Sequence, residues 1–495
     1  MPKQKLRQIV VRSYDEAYKI GKPYIKTQTH PSTAQMGIFN MPSQVSESVW
    51  EISDKALENT LKYVCEYLHH QCYMLCIENN DILLCKLEMG TTAPVFSEII
   101  EEQLWDVNTN PTMTQKQIKF VQDSIEKNIG KLRVMQCVVK PYGKGKGADV
   151  DADVDSDNNE YLKLLEGLDL PNGVFILNLT DALILRNDGK SPFTMVTGKV
   201  GLGKYDFNKH IPILSMSGQR NYLDIPMPNY DDIANFYKPN PQMKTEWADK
   251  KIAKAVFRGG PTGCGYTERT NMRIKLAKMA SNLIDVELTG KGPTIDSNSI
   301  RFDPKYGLGM LNTGIPSSTS FLTMADQSNY KYIIHVDGNV NAYRLLTTMA
   351  TGSLILRVTS QYKSWVDHMI NHMTHYVPVK ANLSDLLGVI QWCKKNDTEC
   401  KKIAKAGMEF ARSILSEAYI KGYIKQLLWT VAGTDVEQPI VLKLPKTKGP
   451  KVLEPSPEFI TFPENKKRCP AGYSSTMKNG IKVCKKNKTQ KKKTT

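Results

Sequence analysis

The stretch Tyr330-Lys-Tyr-Ile-Ile-His335-Val-Asp337-Gly338-Asn339-Val340-Asn341-Ala342-Tyr343-Arg344-Leu345 decides the fold. Its first half is short, apolar and β-branched, and reads as a buried parallel strand; Asp-Gly-Asn breaks it, and a helix is expected over 340–350, ending at Gly352. The same device stands about seventy residues upstream. There a strand around Ala255-Val-Phe-Arg258 runs into Gly-Gly260, a glycine-interrupted loop follows to Thr270-Asn271, and a helix opens with Met272-Arg273-Ile274. Arginine in a first helical turn sits badly, because the peptide dipoles already make that end positive. A negative ligand reverses the argument, since free N–H groups and a guanidinium both favour phosphate oxygens. Two such ends could hold a diphosphate between them. The alternative is that each arginine pairs with a neighbouring carboxylate such as Glu268 or Asp337. Neither segment spells a GxGxxG dinucleotide fingerprint.

Working outward, Val174–Leu179, Asp285–Leu288 and Ser353–Val358 read as further buried strands. Helices are expected at 230–238, 270–281, 360–371, 383–396, 398–414 and 417–431. That alternation implies an α/β protein with βαβ crossovers. Upstream, 51–70 is a helix, and Cys72–Glu78 with Asp81–Leu87 is a hairpin turning at Asn79-Asn80. A helix at 113–130 and a strand at Leu132–Val139 follow. Residues 143–160 read as an exposed loop, and Pro439 to Pro463 as an extended linker.

A chain of 495 residues can hold two or three domains, and 41% apolar with 23% charged residues is ordinary for a globular protein. The net charge of +16 is uneven: residues 463–495 supply +10 of it, so the basic character belongs to a tail that offers a polyanion contact. No apolar run is long enough to span a bilayer, and the basic N-terminus lacks the apolar core of a secretion signal. Ten cysteines, several in apolar strands, read as reduced thiols of a cytoplasmic protein.

Three motifs compete with the diphosphate reading. Asp149, Asp151, Asp153, Asp155, Asp157 and Glu160 follow calcium-loop spacing, but Val154 stands where the turn needs glycine, so the segment reads as a solvated acidic loop. Gly198-Lys-Val-Gly-Leu-Gly203-Lys204 nearly spells a P-loop, yet Tyr205 replaces the magnesium-binding hydroxyl. His368 and His372 are four apart on the expected helix, with no partner motif for zinc.

Phe257-Arg-Gly-Gly-Pro-Thr-Gly263 with Asn271-Met-Arg273 resembles the donor-site signature of glycosyltransferase family 90, the capsule-associated and protein O-glucosyltransferase group. Tyr330 through Arg344 resembles its second signature, and Gly352-Ser-Leu-Ile-Leu356, His375-Tyr-Val-Pro-Val-Lys380 and Leu383-Ser-Asp-Leu386 are similar to later family segments. Phe175-Ile-Leu-Asn-Leu-Thr-Asp181 is similar to the strand that presents the family's catalytic aspartate. By position alone, Asp181 stands just past an apolar strand and is either a working carboxylate or a cap. The resemblance tips it towards the catalytic base, with Asp188 and Asp224 as substitutes.

What the resemblance implies is a GT-B arrangement, two Rossmann-like domains facing a cleft. Residues 1–245 would carry the base and the acceptor side, 246–415 would bind a nucleotide sugar, 416–435 would return to the first domain, and 436–495 would be linker and basic tail. The expected function is inverting transfer of glucose or xylose from a UDP-sugar to a glycan or protein hydroxyl. Arg273 and Arg344 would clamp the diphosphate in place of a metal, with Arg258 and Arg269 in reserve. Gly260 would let the backbone approach the donor, and Asn339, Val340, Asn341, Ala342 and Tyr343 would wrap it. The UDP-sugar is a substrate and no cofactor is expected; Asp337 or the 149–157 loop becomes a metal-ligand candidate only if the arginines fail. Cellular relatives are commonly lumenal with an ER-retention ending, whereas this chain ends Lys-Lys-Lys-Thr-Thr, which keeps the expected location in the cytosol or a virion. The tail around Arg468-Cys-Pro-Ala-Gly-Tyr473 resembles short ends on some large-DNA-virus proteins. The rival expectations are a sugar-nucleotide-binding protein without catalysis, and a nucleic-acid or virion-associated protein acting through its tail.

Overall fold

A computed structural model describes residues 4–25, 50, 52–67, 72–88, 161, 163–180, 183–186, 210–237, 244–263, 268–289 and 321–432, together with three backbone strands near the C-terminus. Asp181, Asp188, the 149–160 loop, the 198–205 loop and the elements expected at 113–139 lie outside these residues.

The first sheet collects β1 (Leu6–Val11), β2 (Cys72–Glu78), β3 (Asp81–Leu87), β4 (Gly173–Asn178), β5 (Ile213–Ser215) and β7 (Ile225–Pro226) in the order β1-β3-β2-β4-β5-β7. Only β2 runs against its neighbours. The cause is local: Asn79 and Asn80 take φ of 51° and 68°, the left-handed pair of a tight hairpin turn, so β2 must reverse into β3. Both strands are apolar on both faces, being covered on each side. Helices α1 (Tyr14–Ile25) and α2 (Asp54–Leu61) pack against this sheet; the Ser53 side chain caps α2 through the Ala56 N–H.

The second sheet is wholly parallel, in the order β13-β11-β10-β8-β9. Its strands are β8 (Ile252–Gly259), β9 (Ile284–Leu288), β10 (Tyr330–His335), β11 (Leu354–Val358) and β13 (Val377–Val379). Between and after them come α3 (Tyr230–Tyr237), α4 (Met272–Lys278), α5 (Met324–Gln327), α6 (Leu345–Ala350), α7 (Leu386–Lys395), α8 (Asp397–Ile414) and α9 (Glu417–Ala432). All described strands of the first sheet precede residue 245 and those of the second lie within 252–379, which gives the two Rossmann-like halves of a GT-B-like α/β fold.

Backbone pairing laces the halves together. β6 (Gly218–Gln219) pairs antiparallel with β12 (Tyr362–Lys363), and the buried Trp365 indole donates to Asp232 Oδ2 at 2.7 Å. This corrects the helix expected at 360–371. Asp367 accepts from the Ser364 N–H and hydroxyl, folding the segment into turns, and Asp367 also holds Arg357 at 2.6 Å. His368 and His372 therefore do not share a helix. The last helix does return to the N-terminal half: Trp50 Nε1 donates to Val431 O at 2.9 Å, and Trp429 Nε1 to Asp169 O at 3.0 Å.

Met1–Leu442 form one compact unit and Lys443–Thr495 another. Within the second, the expected linker and tail contain a three-stranded antiparallel sheet, β14 (Phe459–Thr461), β16 (Ile481–Lys486) and β15 (Tyr473–Lys478), with β16 central.

Candidate active site

The site grows from the C-terminal ends of β8 and β10, where a parallel sheet places its ligand-handling loops. Arg273 and Arg344, separated in sequence, meet at one aromatic ring. The Cζ of Arg273 lies 5.7 Å and that of Arg344 5.1 Å from the Phe257 centroid.

Their partners differ. Arg273 is buried and heavily bonded: Nε donates to Asp337 O at 3.0 Å, Nη1 to Gly260 O at 2.9 Å and Thr262 Oγ1 at 2.6 Å, and Nη2 to Val336 O at 3.2 Å. It stitches the loop after β8 to the end of β10. Arg344 makes one hydrogen bond, Nη1 to Arg258 O at 2.6 Å, and no described carboxylate lies within ion-pair distance of it. Burial, and then the charge of Arg273, draw its guanidinium down to about 10 against the opposing field of Asp231, so it stays charged at neutral pH at a cost a closer anion would relieve.

The same positive field reaches the neighbouring strand. His335 is buried, and desolvation followed by the charges of Arg357, Arg344 and Arg273 holds its imidazole well below the ordinary value. Its Nε2 lies 3.6 Å from Asp337 Oδ1. Burial also raises Asp337, while its carboxylate accepts the Ala342 N–H at 2.8 Å and turns the 338–342 loop. Gly338 N–H donates to Val340 O at 3.0 Å and tightens the same turn. These bonds explain why the helix starts at Leu345 rather than near 340, leaving Arg344 as its N-cap residue. Arg273 does sit in the first turn of α4, but Asn271 Oδ1 already accepts the Arg273 and Ile274 N–H groups. The helix end therefore offers fewer free donors than its sequence suggests.

The glycines make room for the arginines. A Cβ on Gly338 would stand 2.7 Å from Thr262 Oγ1 and 3.0 Å from Arg273 Nη2, and one on Gly259 would stand 3.3 Å from Arg344 Nη2. Gly260, the expected point of close approach, has 3.8 Å of clearance; its carbonyl serves Arg273 instead. Asn339 Oδ1 accepts the Gly263 N–H at 3.1 Å, tying the two loops together. Val340 belongs to the buried cluster that also contains Leu183, Ile184 and Leu185 of the N-terminal half, and Tyr343 packs against that cluster.

Other candidates resolve differently. Arg258 points to β9, where Nη2 pairs with Asp285 Oδ1 at 2.7 Å and lies 3.7 Å from Glu287, so its charge is committed away from Arg344. Arg269 lies on an exposed turn. Asp224 is fully buried: it accepts from the Ile184 and Leu185 N–H groups and from Ser215 Oγ at 2.7 Å, so it organises the segment just after Asp181. Among the described residues no group of three His, Cys, Asp or Glu side chains is placed to hold a metal ion. Sequence reasoning passed over Phe257 as the ring shared by both guanidiniums, and Thr262 as an anchor for Arg273. Their place inside the quoted β8 segment was the only available signal.

Residues 199–443 match the model of glycosyl transferase family 90. They form a family 90 domain.

The match spans the second sheet and the end of the first, with both arginines inside it. A protein of Invertebrate iridescent virus 6, 179R, is 31% identical over 379 residues, covering 65% of this chain and 31% of that protein. Protein O-glucosyltransferase 2 of Danio rerio is 30% identical over 278 residues, covering 53% of this chain and 52% of the enzyme. The chain thus spans about a third of the length of the first and about half of the second. Anabaena HepE in complex with UDP-glucose superposes with a TM-score of 0.25 at 12% identity, over 35% of this chain and 48% of HepE. No helix among the described residues is long and apolar enough to cross a membrane.

Proposed function

We propose that this family 90 domain is an inverting glycosyltransferase that moves glucose or xylose from a UDP-sugar to a hydroxyl of a glycan or protein. The observation that carries the reading is the convergence of Arg273 and Arg344 on Phe257, with no described carboxylate within ion-pair distance of Arg344 and only the longer-range field of Asp231 opposing its charge. A diphosphate is the natural counter-charge for two such groups on adjacent loops. The O-glucosyltransferase relatives supply the sugar and the acceptor class by analogy.

In the proposed reaction Asp181 takes the proton of the acceptor hydroxyl as that oxygen bonds to the sugar's anomeric carbon. The bond from that carbon to the diphosphate breaks on the opposite face, which inverts the configuration. UDP leaves with its new charge held by Arg344 and, more rigidly, by Arg273. These fixed cations take the part a metal plays elsewhere, so no cofactor enters. The six described cysteines are unpaired and buried, in keeping with a reducing cytosol or a virion formed there.

Asp181→Asn tests the chemistry. It keeps the side chain's shape and its capping ability but cannot take a proton at neutral pH. Turnover of UDP-glucose or UDP-xylose should fall by roughly 10²–10⁴-fold while UDP affinity stays near wild type. Near-normal turnover would remove Asp181 as the base.

A further inference from the structure

The donor loop contains one polar side chain that the fold leaves unsatisfied. On the same loop Asp337 takes the Ala342 N–H and Asn339 takes the Gly263 N–H. Asn341 is 4% exposed, and among the described residues neither its Oδ1 nor its Nδ2 has a hydrogen-bond partner. A buried amide with both ends open is costly, so its place on the loop calls for a reason other than stability.

The missing partner must donate to Oδ1 and accept from Nδ2. Phosphate oxygens only accept, so the diphosphate would leave Oδ1 open and facing negative charge. Hydroxyl groups do both. The preceding residue, Val340, belongs to the buried cluster that also holds Leu183, Ile184 and Leu185 of the N-terminal half. Asn341 itself stands three residues before Arg344 on the loop that joins β10 to α6, where a sugar attached to the diphosphate would lie.

We propose that the Asn341 amide reads hydroxyl groups of the sugar being transferred, and so helps to set which sugar the enzyme accepts. The inference rests on the UDP-sugar reading above.

The test compares Asn341→Leu, similar in size but without the amide, with the full-length wild-type chain. UDP and UDP-glucose are titrated separately, and melting is followed without ligand. Loss of two neutral hydrogen bonds should weaken UDP-glucose binding by about tenfold. UDP affinity should hold, and the unliganded melting temperature should stay level or rise, because an apolar side chain of like size removes an unpartnered polar group. Equal losses for UDP and UDP-glucose would assign the amide to the base or ribose and overturn the proposal. So would unchanged UDP-glucose affinity, or a lowered unliganded melting temperature, which would expose a structural partner. If the wild-type chain binds neither ligand, the donor reading itself falls, a failure distinct from these.

Discussion

Arg273 and Arg344 carry the same charge beside the same ring, yet their surroundings predict different responses to truncation. Arg273→Ala would strip donors from Gly260 O, Val336 O and Asp337 O at once. It should destabilise the chain by roughly 3–5 kcal/mol, visible as a lowered denaturant midpoint, besides weakening UDP binding. Arg344→Ala frees only Arg258 O, so its stability loss should be far smaller. Equal destabilisation by both would contradict this division between anchor and clamp. Asp224 allows a pH test. Burial raises its carboxyl to about 6 despite the bonds from Leu185, Ser215 and Ile184. A carboxyl raised in the fold contributes stability that is fully present below its unfolded pKa of about 4 and lost as pH rises through about 6. The stability of the wild type relative to Asp224→Asn should therefore fall across that window, by on the order of 2–3 kcal/mol, as measured by urea unfolding at several pH values. A flat difference would mean that the acid is not perturbed.

At the scale of elements, close packing inverts an ordinary preference. Alanine normally stabilises a helix interior over glycine by about 1 kcal/mol. In α8, however, a Cβ on Gly407 would stand 2.5 Å from His375 O, backbone that cannot swing aside. Gly407→Ala should lower the melting temperature; a rise would show that helix and loop are not seated so closely. The elements also show what the sequence could and could not reveal. Strands β8, β10 and β11 were legible because they are short apolar runs with punctuation at both ends, and α7, α8 and α9 because their apolar spacing is sustained. The start of α6 was not legible. Asn341 to Tyr343 suit a helix locally, and the Asp337 carboxylate on the Ala342 N–H, with the Gly338 N–H on Val340 O, holds them out of it. The segment 360–371 failed for a similar reason: its apolar residues are buried by turns around Asp367 and by pairing with β6, contacts that have no local period. For the site, the arginine pair was legible from its repeated strand–loop context. The commitment of Arg258 to Asp285, and of Arg273 to three carbonyls, depends on residues far away in sequence.

Across the whole molecule, two sheets joined by β6–β12, by the Trp365–Asp232 bond and by the returning α9 hold the donor loops against the N-terminal half. Val340 lies in the same buried cluster as Leu183, Ile184 and Leu185, and Tyr343 packs against it. The arginine pair and residues 183–185 are thus parts of one packed unit, and in the proposed function arginine supplies the charge that meets the diphosphate. The most direct test is calorimetric titration of UDP into the full chain in excess EDTA, for wild type and Arg344→Ala. The account predicts that the wild type binds without metal and that Arg344→Ala binds roughly ten- to a hundredfold more weakly, the value of about 1.5–3 kcal/mol for a charge-assisted contact. Wild-type binding that vanishes in EDTA and returns with manganese, or equal affinity in the two proteins, would contradict it.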